Sequence, residues 1–178
     1  MQWLNPPVAC EAHGDTLEVT AAGKTDFWRK THYGFIRDTG HFYSQSVLGD
    51  FVAEVEIEGG YRALYDQAGL MVRADAETWM KCGIELVDDV QHASVVVTRD
   101  YSDWSVVPLP DNPPSTRVRV IRRGQTLELQ HSFGGEVWTT IRTAHLPMDE
   151  AVNVGIMCAS PDGDGFRAVF RGYTLQLH

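Results

Sequence analysis

One short segment, WMKCGIE at 79–85, puts an indole, an ammonium and a carboxylate on alternate residues. In a strand, Trp79, Lys81 and Glu85 share one face, and Met80, Cys82, Ile84 and Leu86 the other. The second set is a core face. The first carries what a small hydroxylated ligand needs: a flat apolar platform, a cation and an anion. If 67–74, 78–87 and 92–99 are neighbouring strands, the same face also collects Gln67, Met71, Arg73, His92, Ser94 and Thr98. Residues two apart on a strand lie roughly 6.5–7 Å apart and neighbouring strands about 4.8 Å, a spacing that can surround a small polar molecule. A solvated face laced with cross-strand ion pairs, each contributing roughly 0.2–1 kcal/mol, uses the same residue types. Trp79 and Trp104 favour binding, because tryptophan is costly on plain surface.

Two further segments carry unusual side chains. TDFWRKTHYGF at 25–35 gathers Asp26, Trp28, Arg29, Lys30 and His32 without clean periodicity, as a functional loop over a rigid scaffold would. Packing of Phe27, Trp28 or Phe35 against the sheet explains it equally well. SDWS at 102–105 sets Asp103 beside Trp104, whose ring either stacks on a ligand or plugs the end of the fold. The expected ligand-binding set is therefore Trp28, Gln67, Arg73, Trp79, Lys81, Glu85, His92, Asp103 and Trp104. No catalytic residue is assigned. Glu54, Glu56 and Glu58 form a row whose neighbours sit near the roughly 6.5–9.5 Å separation of inverting glycosidases, but alternate glutamates are also the ordinary solvated face of a strand. The seven histidines show no H-x-H or H-x-x-x-H spacing and no cysteine partner, so no metal or cofactor is expected. P-loop, dinucleotide and G-x-S-x-G signatures are missing.

Helical periodicity is almost absent, and short alternating runs recur between turn signals. They predict strands at 16–20, 41–46, 51–58, 67–74, 78–87, 92–99, 103–107, 117–122, 126–133, 137–143, 152–159 and 166–177. Gly134-Gly135 predicts a hairpin turn, since both glycines can take positive φ, and the parity change near Gly172 predicts a bulge. A dozen strands in one domain spanning 1–178 point to an all-β fold, two antiparallel sheets packed as a jelly-roll sandwich. With 178 residues the chain is long enough to bury roughly 68–75% of its unfolded surface.

A formal net charge of −9 argues against nucleic acid and anionic membranes as partners. Arg117, Arg119, Arg122 and Arg123 form a local basic run, read as the charged edge of a sheet. Cys10, Cys82 and Cys158 show no pairing motif; two fall on core faces, which suits a reducing compartment. No signal peptide or 18-residue apolar span is visible, so a cytoplasmic location is expected.

Four motifs in order, TDFWRKTHYGF, YDQAGLMVRAD, WMKCGIEL and VVVTRDYSDWS, resemble those of a concanavalin A-like family of uncharacterised bacterial and fungal proteins. That family includes the fungal regulator-of-enolase proteins, and the resemblance extends over 3–178. Segment 122–142 is also similar to the C-terminal domains of some β-xylosidases. The resemblance implies a sandwich of the lectin and glucanase type. It brings no settled reaction, and the E-x-D-x-x-E acid motif of lectin-like glucanases is unmatched, since Glu54, Glu56 and Glu58 run into glycines. The resulting expectation is a non-catalytic module that binds a carbohydrate or small polar metabolite. The alternatives are an interaction protein that regulates a metabolic enzyme and, third, a glycoside hydrolase using Glu85 or the Glu54–Glu58 row.

Overall fold

The computed structural model describes residues 1–135 and 137–178, and among them there is no helix. In chain order the strands are β1 (Gln2–Leu4), β2 (Ala9–His13), β3 (Thr16–Thr20), β4 (Phe27–Arg29), β5 (Ile36–Asp38), β6 (His41–Leu48), β7 (Phe51–Gly59) and β8 (Gln67–Arg73). They continue as β9 (Thr78–Val87), β10 (Val90–Arg99), β11 (Tyr101–Pro108), β12 (Thr116–Arg123), β13 (Thr126–Ser132), β14 (Thr139–His145), β15 (Ala151–Ala159) and β16 (Arg167–Leu177). Two seven-stranded antiparallel sheets result, β1-β6-β15-β8-β9-β10-β11 and β14-β13-β12-β7-β16-β3-β2, with β4 and β5 forming a separate ribbon.

Alternation explains the sandwich. In β7, Phe51, Ala53, Val55 and Ile57 are buried, and the intervening glutamates point away from the core. They meet Leu70, Val72, Met80, Cys82, Val95 and Val97 from the facing sheet. Each fully buried Val, Leu, Ile, Phe or Met among them contributes roughly 1.5–3 kcal/mol. Every predicted strand occurs. The four that alternation did not reveal, β1, β2, β4 and β5, are three to five residues long.

The expected bulge is present: the β16–β7 register shifts between Arg171 and Thr174, and Gly172 has φ +59°. It keeps Tyr173 and Leu175 packed against the core that Ala168 and Phe170 enter. The Gly134-Gly135 hairpin is present: β13 ends at Ser132 and pairs antiparallel with β14 from Thr139, and Gly134 has φ +58°. Glu136 of that turn lies outside the described residues. The basic run, by contrast, is not an edge. β12 lies between β7 and β13, where Arg117 and Arg119 both pair with Glu54, and buried Arg122 donates to the carbonyls of Gly124, Asp149 and Glu150. Those arginines neutralise a carboxylate and cap a loop.

The first sheet is covered on both sides. Its inner face meets the second sheet. Over part of its outer face lies the β4–β5 ribbon, which closes a smaller core of Phe27, Phe42, Met71, Trp79, Val96 and Met157. Every residue of β8 is buried as a result. Doubly covered strands normally read as continuous apolar runs; here polar residues are interleaved, and each needs a partner.

Candidate functional site

The ribbon is held down by charge. Lys81 Nζ, on β9, donates to Asp26 Oδ1 at 3.2 Å and to the Phe27 carbonyl at 2.7 Å. Arg73, at the end of β8, makes a two-pronged pair with Asp38 at 2.7 and 2.8 Å, the geometry in which arginine binds carboxylate best. Arg29 reaches Glu77 at 2.9 Å and Asp100 at 2.7 Å, and its backbone N–H donates to Ser102 Oγ at 2.9 Å. Lys30 joins it on Asp100, and hydrogen bonds from Arg29 and then Lys30 hold that carboxyl below its usual range. Between the ribbon's strands, Lys30, His32 and Gly34 all take positive φ. For lysine and histidine that conformation is uncommon, and strain of this kind concentrates at functional sites. It turns Trp28, Tyr33 and Phe35 together: Trp28 and Tyr33 meet edge to face at 5.9 Å, and Tyr33 stacks on Phe35 at 5.3 Å.

Beside the ribbon a cavity of about 370 Å³ opens over the same sheet face, within the roughly 300–1,000 Å³ of small-ligand sites. Its floor is Gln67, Lys81, Glu85 and Val96 from β8, β9 and β10. One wall is the ribbon, through Asp26, Trp28, Tyr33, Phe35 and Arg37; opposite stand Leu64, Tyr65, Trp104, Pro161 and Asp162. Tyr65 also has positive φ, and its ring meets Trp104 edge to face at 6.0 Å. Its hydroxyl lies 3.2 Å from that of Tyr33 across the cavity. That hydrogen bond, with burial second, pushes the Tyr65 phenol up to about 12. A shallower hollow adjoins past Tyr33, Tyr65 and Trp104, and includes Trp28, His32 and Asp103.

Glu85 is the chemical centre of the floor. It is 6% exposed, and its Oε2 accepts from Ser94 Oγ at 2.5 Å and from Trp104 Nε1 at 2.8 Å. Burial pushes its carboxyl above the usual range, opposed by the Lys81 charge and by those two hydrogen bonds. Beneath it Gly69 and Gly83 face each other across β8 and β9; a Cβ on either would lie 1.8–2.0 Å from a carbonyl oxygen of the other strand. Only glycine permits the strands to approach that closely there.

The residues singled out from the sequence divide into two groups. Gln67, Lys81, Glu85, Trp28 and Trp104 come together around the cavity, and Asp103 sits in the adjoining hollow. Trp79, Arg73 and His92 do not line it. The Trp79 indole is 1% exposed, packed edge to face on Phe27 at 6.2 Å, so its expected stacking on a ligand is replaced by closure of the smaller core. Arg73 is occupied by Asp38. His92 lies beyond the strand's covered part, its ring turned to the Val90 carbonyl at 2.8 Å. The expected open trio of Trp79, Lys81 and Glu85 is thus corrected: the ribbon seals Trp79, while Lys81, tied to Asp26 and the Phe27 carbonyl, stays with Glu85 in the buried floor of the cavity. Alternation alone did not identify Tyr33, Phe35, Arg37, Tyr65 and Asp162; the available signals were the aromatic run YGF and the turn residues at 161–163. The Glu54 row lies on the other sheet, with Glu54 held by Arg117 and Arg119, and Glu58 by Arg171 at 2.8 Å. No group of three His, Cys, Asp or Glu side chains fit to hold a metal ion occurs among the described residues. No helix among them is long and apolar enough to cross a membrane.

Comparison with known proteins agrees with this architecture. A family model described as "Protein of unknown function (DUF1349)" matches residues 3–177. "Regulation of enolase protein 1" of Saccharomyces cerevisiae is 37% identical over 173 residues, covering 97% of this chain and 87% of its own. A crystal structure of a functionally unknown protein from Saccharomyces cerevisiae superposes with a TM-score of 0.95 at 36% identity, over 99% of this chain and 96% of that one. The carbohydrate binding module CBM66 from Bacillus subtilis gives 0.65 at 14% identity, over 98% and 95%. A xylan β-1,4-xylosidase from Bacillus halodurans gives 0.70 at 13%, over 95% of this chain and 38% of that enzyme. At those identities the last two share the jelly-roll fold.

Proposed function

The chain belongs to the DUF1349 family of proteins of unknown function, and from that premise we propose that it is a non-catalytic recognition module for a small, sugar-like polar ligand. The observation that carries this reading is the cavity itself. Trp28, Tyr33, Phe35, Tyr65 and Trp104 surround a floor of Gln67, Glu85 and Lys81. Flat rings receive the apolar face of a sugar, and a few placed polar groups fix its hydroxyls. Backbone held at positive φ at Tyr65 in the wall, and at His32 in the adjoining hollow, fits a preformed site. The carbohydrate binding module among the structural neighbours lends support at the level of fold.

Recognition is favoured over hydrolysis by the carboxylates. Glycoside hydrolysis uses two at a defined separation. Of the two other carboxylates lining the cavity, Asp26 is tied to Lys81 and to the Phe27 N–H at 2.8 Å, and Asp162 is exposed, away from the buried floor where Glu85 lies. Isothermal titration of the native chain against a panel of mono- and oligosaccharides tests the reading, and silence throughout at millimolar sugar removes it. A second reading, contact with a metabolic enzyme, is favoured by the name of the yeast relative. It expects one enzyme to co-purify with the tagged chain, whereas a clean monomer in pull-downs counts against it.

A further inference from the structure

Lys81 in the cavity floor already has a charge partner and Arg37 in its wall an aromatic one, whereas the central carboxylate has only neutral donors. Lys81 is committed to Asp26 and the Phe27 carbonyl, and the Arg37 guanidinium lies 4.4 Å from the centre of the Phe35 ring. Arg29, Lys30 and Arg73 are spent on Glu77, Asp100 and Asp38. Glu85, more than nine-tenths buried, has no cationic nitrogen within 4.0 Å among the described residues. Its Oε2 receives two neutral donors, and none of the protein's donors among the described residues reaches Oε1. A buried carboxylate with no positive partner is costly, and the folds that retain one generally use it. The walls around it are aromatic, and the faces of Trp, Tyr and Phe attract a cation through their ring quadrupoles.

We propose that the ligand is a small hydroxylated compound bearing a protonated amine, of the amino-sugar class, with its ammonium seated against Glu85 Oε1 and enclosed by Trp104 and Tyr65. The ammonium supplies the missing charge partner, and Gln67 remains for the hydroxyls. The raised carboxyl of Glu85 agrees with this, because an incoming cation relieves what burial imposes. The chain's net charge of −9 also draws cations toward it.

This inference rests on the recognition pocket proposed above, and one experiment separates their failures. The full chain is titrated calorimetrically at pH 7 with glucosamine, glucose and N-acetylglucosamine, and with the three corresponding galactose compounds. The amine is expected to bind at least ~10-fold tighter than its hydroxyl twin and its acetylated form, the effect of one charge-assisted hydrogen bond. Glu85→Gln, which keeps acceptors for Ser94 and Trp104, is expected to abolish that preference. Equal affinity within each set overturns the amine and leaves the pocket standing. No binding by any member sinks both, and the native comparison stands whether or not the variant folds.

Discussion

The two ends of one strand face on β9 have opposite fates. At Lys81 the charge is 3% exposed, tied to Asp26 and the Phe27 carbonyl, beside a tryptophan sealed in apolar contact. Two alternations further on, Glu85 is nearly as buried in the same cavity floor, yet no cationic nitrogen lies within 4.0 Å of it among the described residues. The first end behaves as a clasp and the second as a receptor. Burial alone does not separate them. What does is the kind of partner in contact, since Lys81 meets a carboxylate whereas Glu85 meets only neutral donors.

The strongest way to break this comparison is at the clasp. Lys81→Met leaves Asp26 buried without its cation, and a loss of ~3–5 kcal/mol is expected. Urea unfolding measures it. A loss below about 1 kcal/mol would mean that the ribbon is not held by that pair. Arg73→Lys keeps the charge but ends the two-pronged contact with Asp38. About 1–3 kcal/mol is at stake in charged hydrogen bonds, discounted toward the low end because Asp38 is over a third exposed.

Glu85→Gln sharpens the other side, with the opposite sign. Its folded carboxyl lies above the ordinary 4.5, so the folded state holds the proton more tightly than the unfolded chain. Its burial therefore costs nothing below the ordinary value. The cost grows as pH rises from there to the raised one, and is complete above it. The glutamine variant is expected to be more stable at pH 7 by about 1 kcal/mol, typical of substitutions that relieve a functional site. It should also lack the native protein's decline in melting temperature over that range. A melting temperature that falls on substitution would make Glu85 a structural residue. Trp104→Phe removes the donor to Glu85 while keeping a ring in the wall. With Trp104 40% exposed, stability is expected to change by less than about 1 kcal/mol, with binding several-fold weaker by calorimetry. Smallest of all, Glu56→Gln on the other sheet is expected to shift stability by under about 0.5 kcal/mol and leave binding untouched.

Alternation in the amino-acid order determined most of this architecture. In β7 and β9 the period of two assigns each side chain to a face, and the placement of Met80 and Cys82 in the core needed nothing else. The same pattern marked Lys81 and Glu85 as companions on a polar face, and the aromatic segment 25–35 as out of place in a plain loop. What lay above that face was decided only by the tertiary fold. A polar position reads the same whether it meets water or a ribbon, and the contacts that tell them apart span long separations: 55 residues from Lys81 to Asp26 and 35 from Arg73 to Asp38. The strand pattern is a local property of the chain. Whether a charge finds its partner depends on which distant segment the sandwich folds over it.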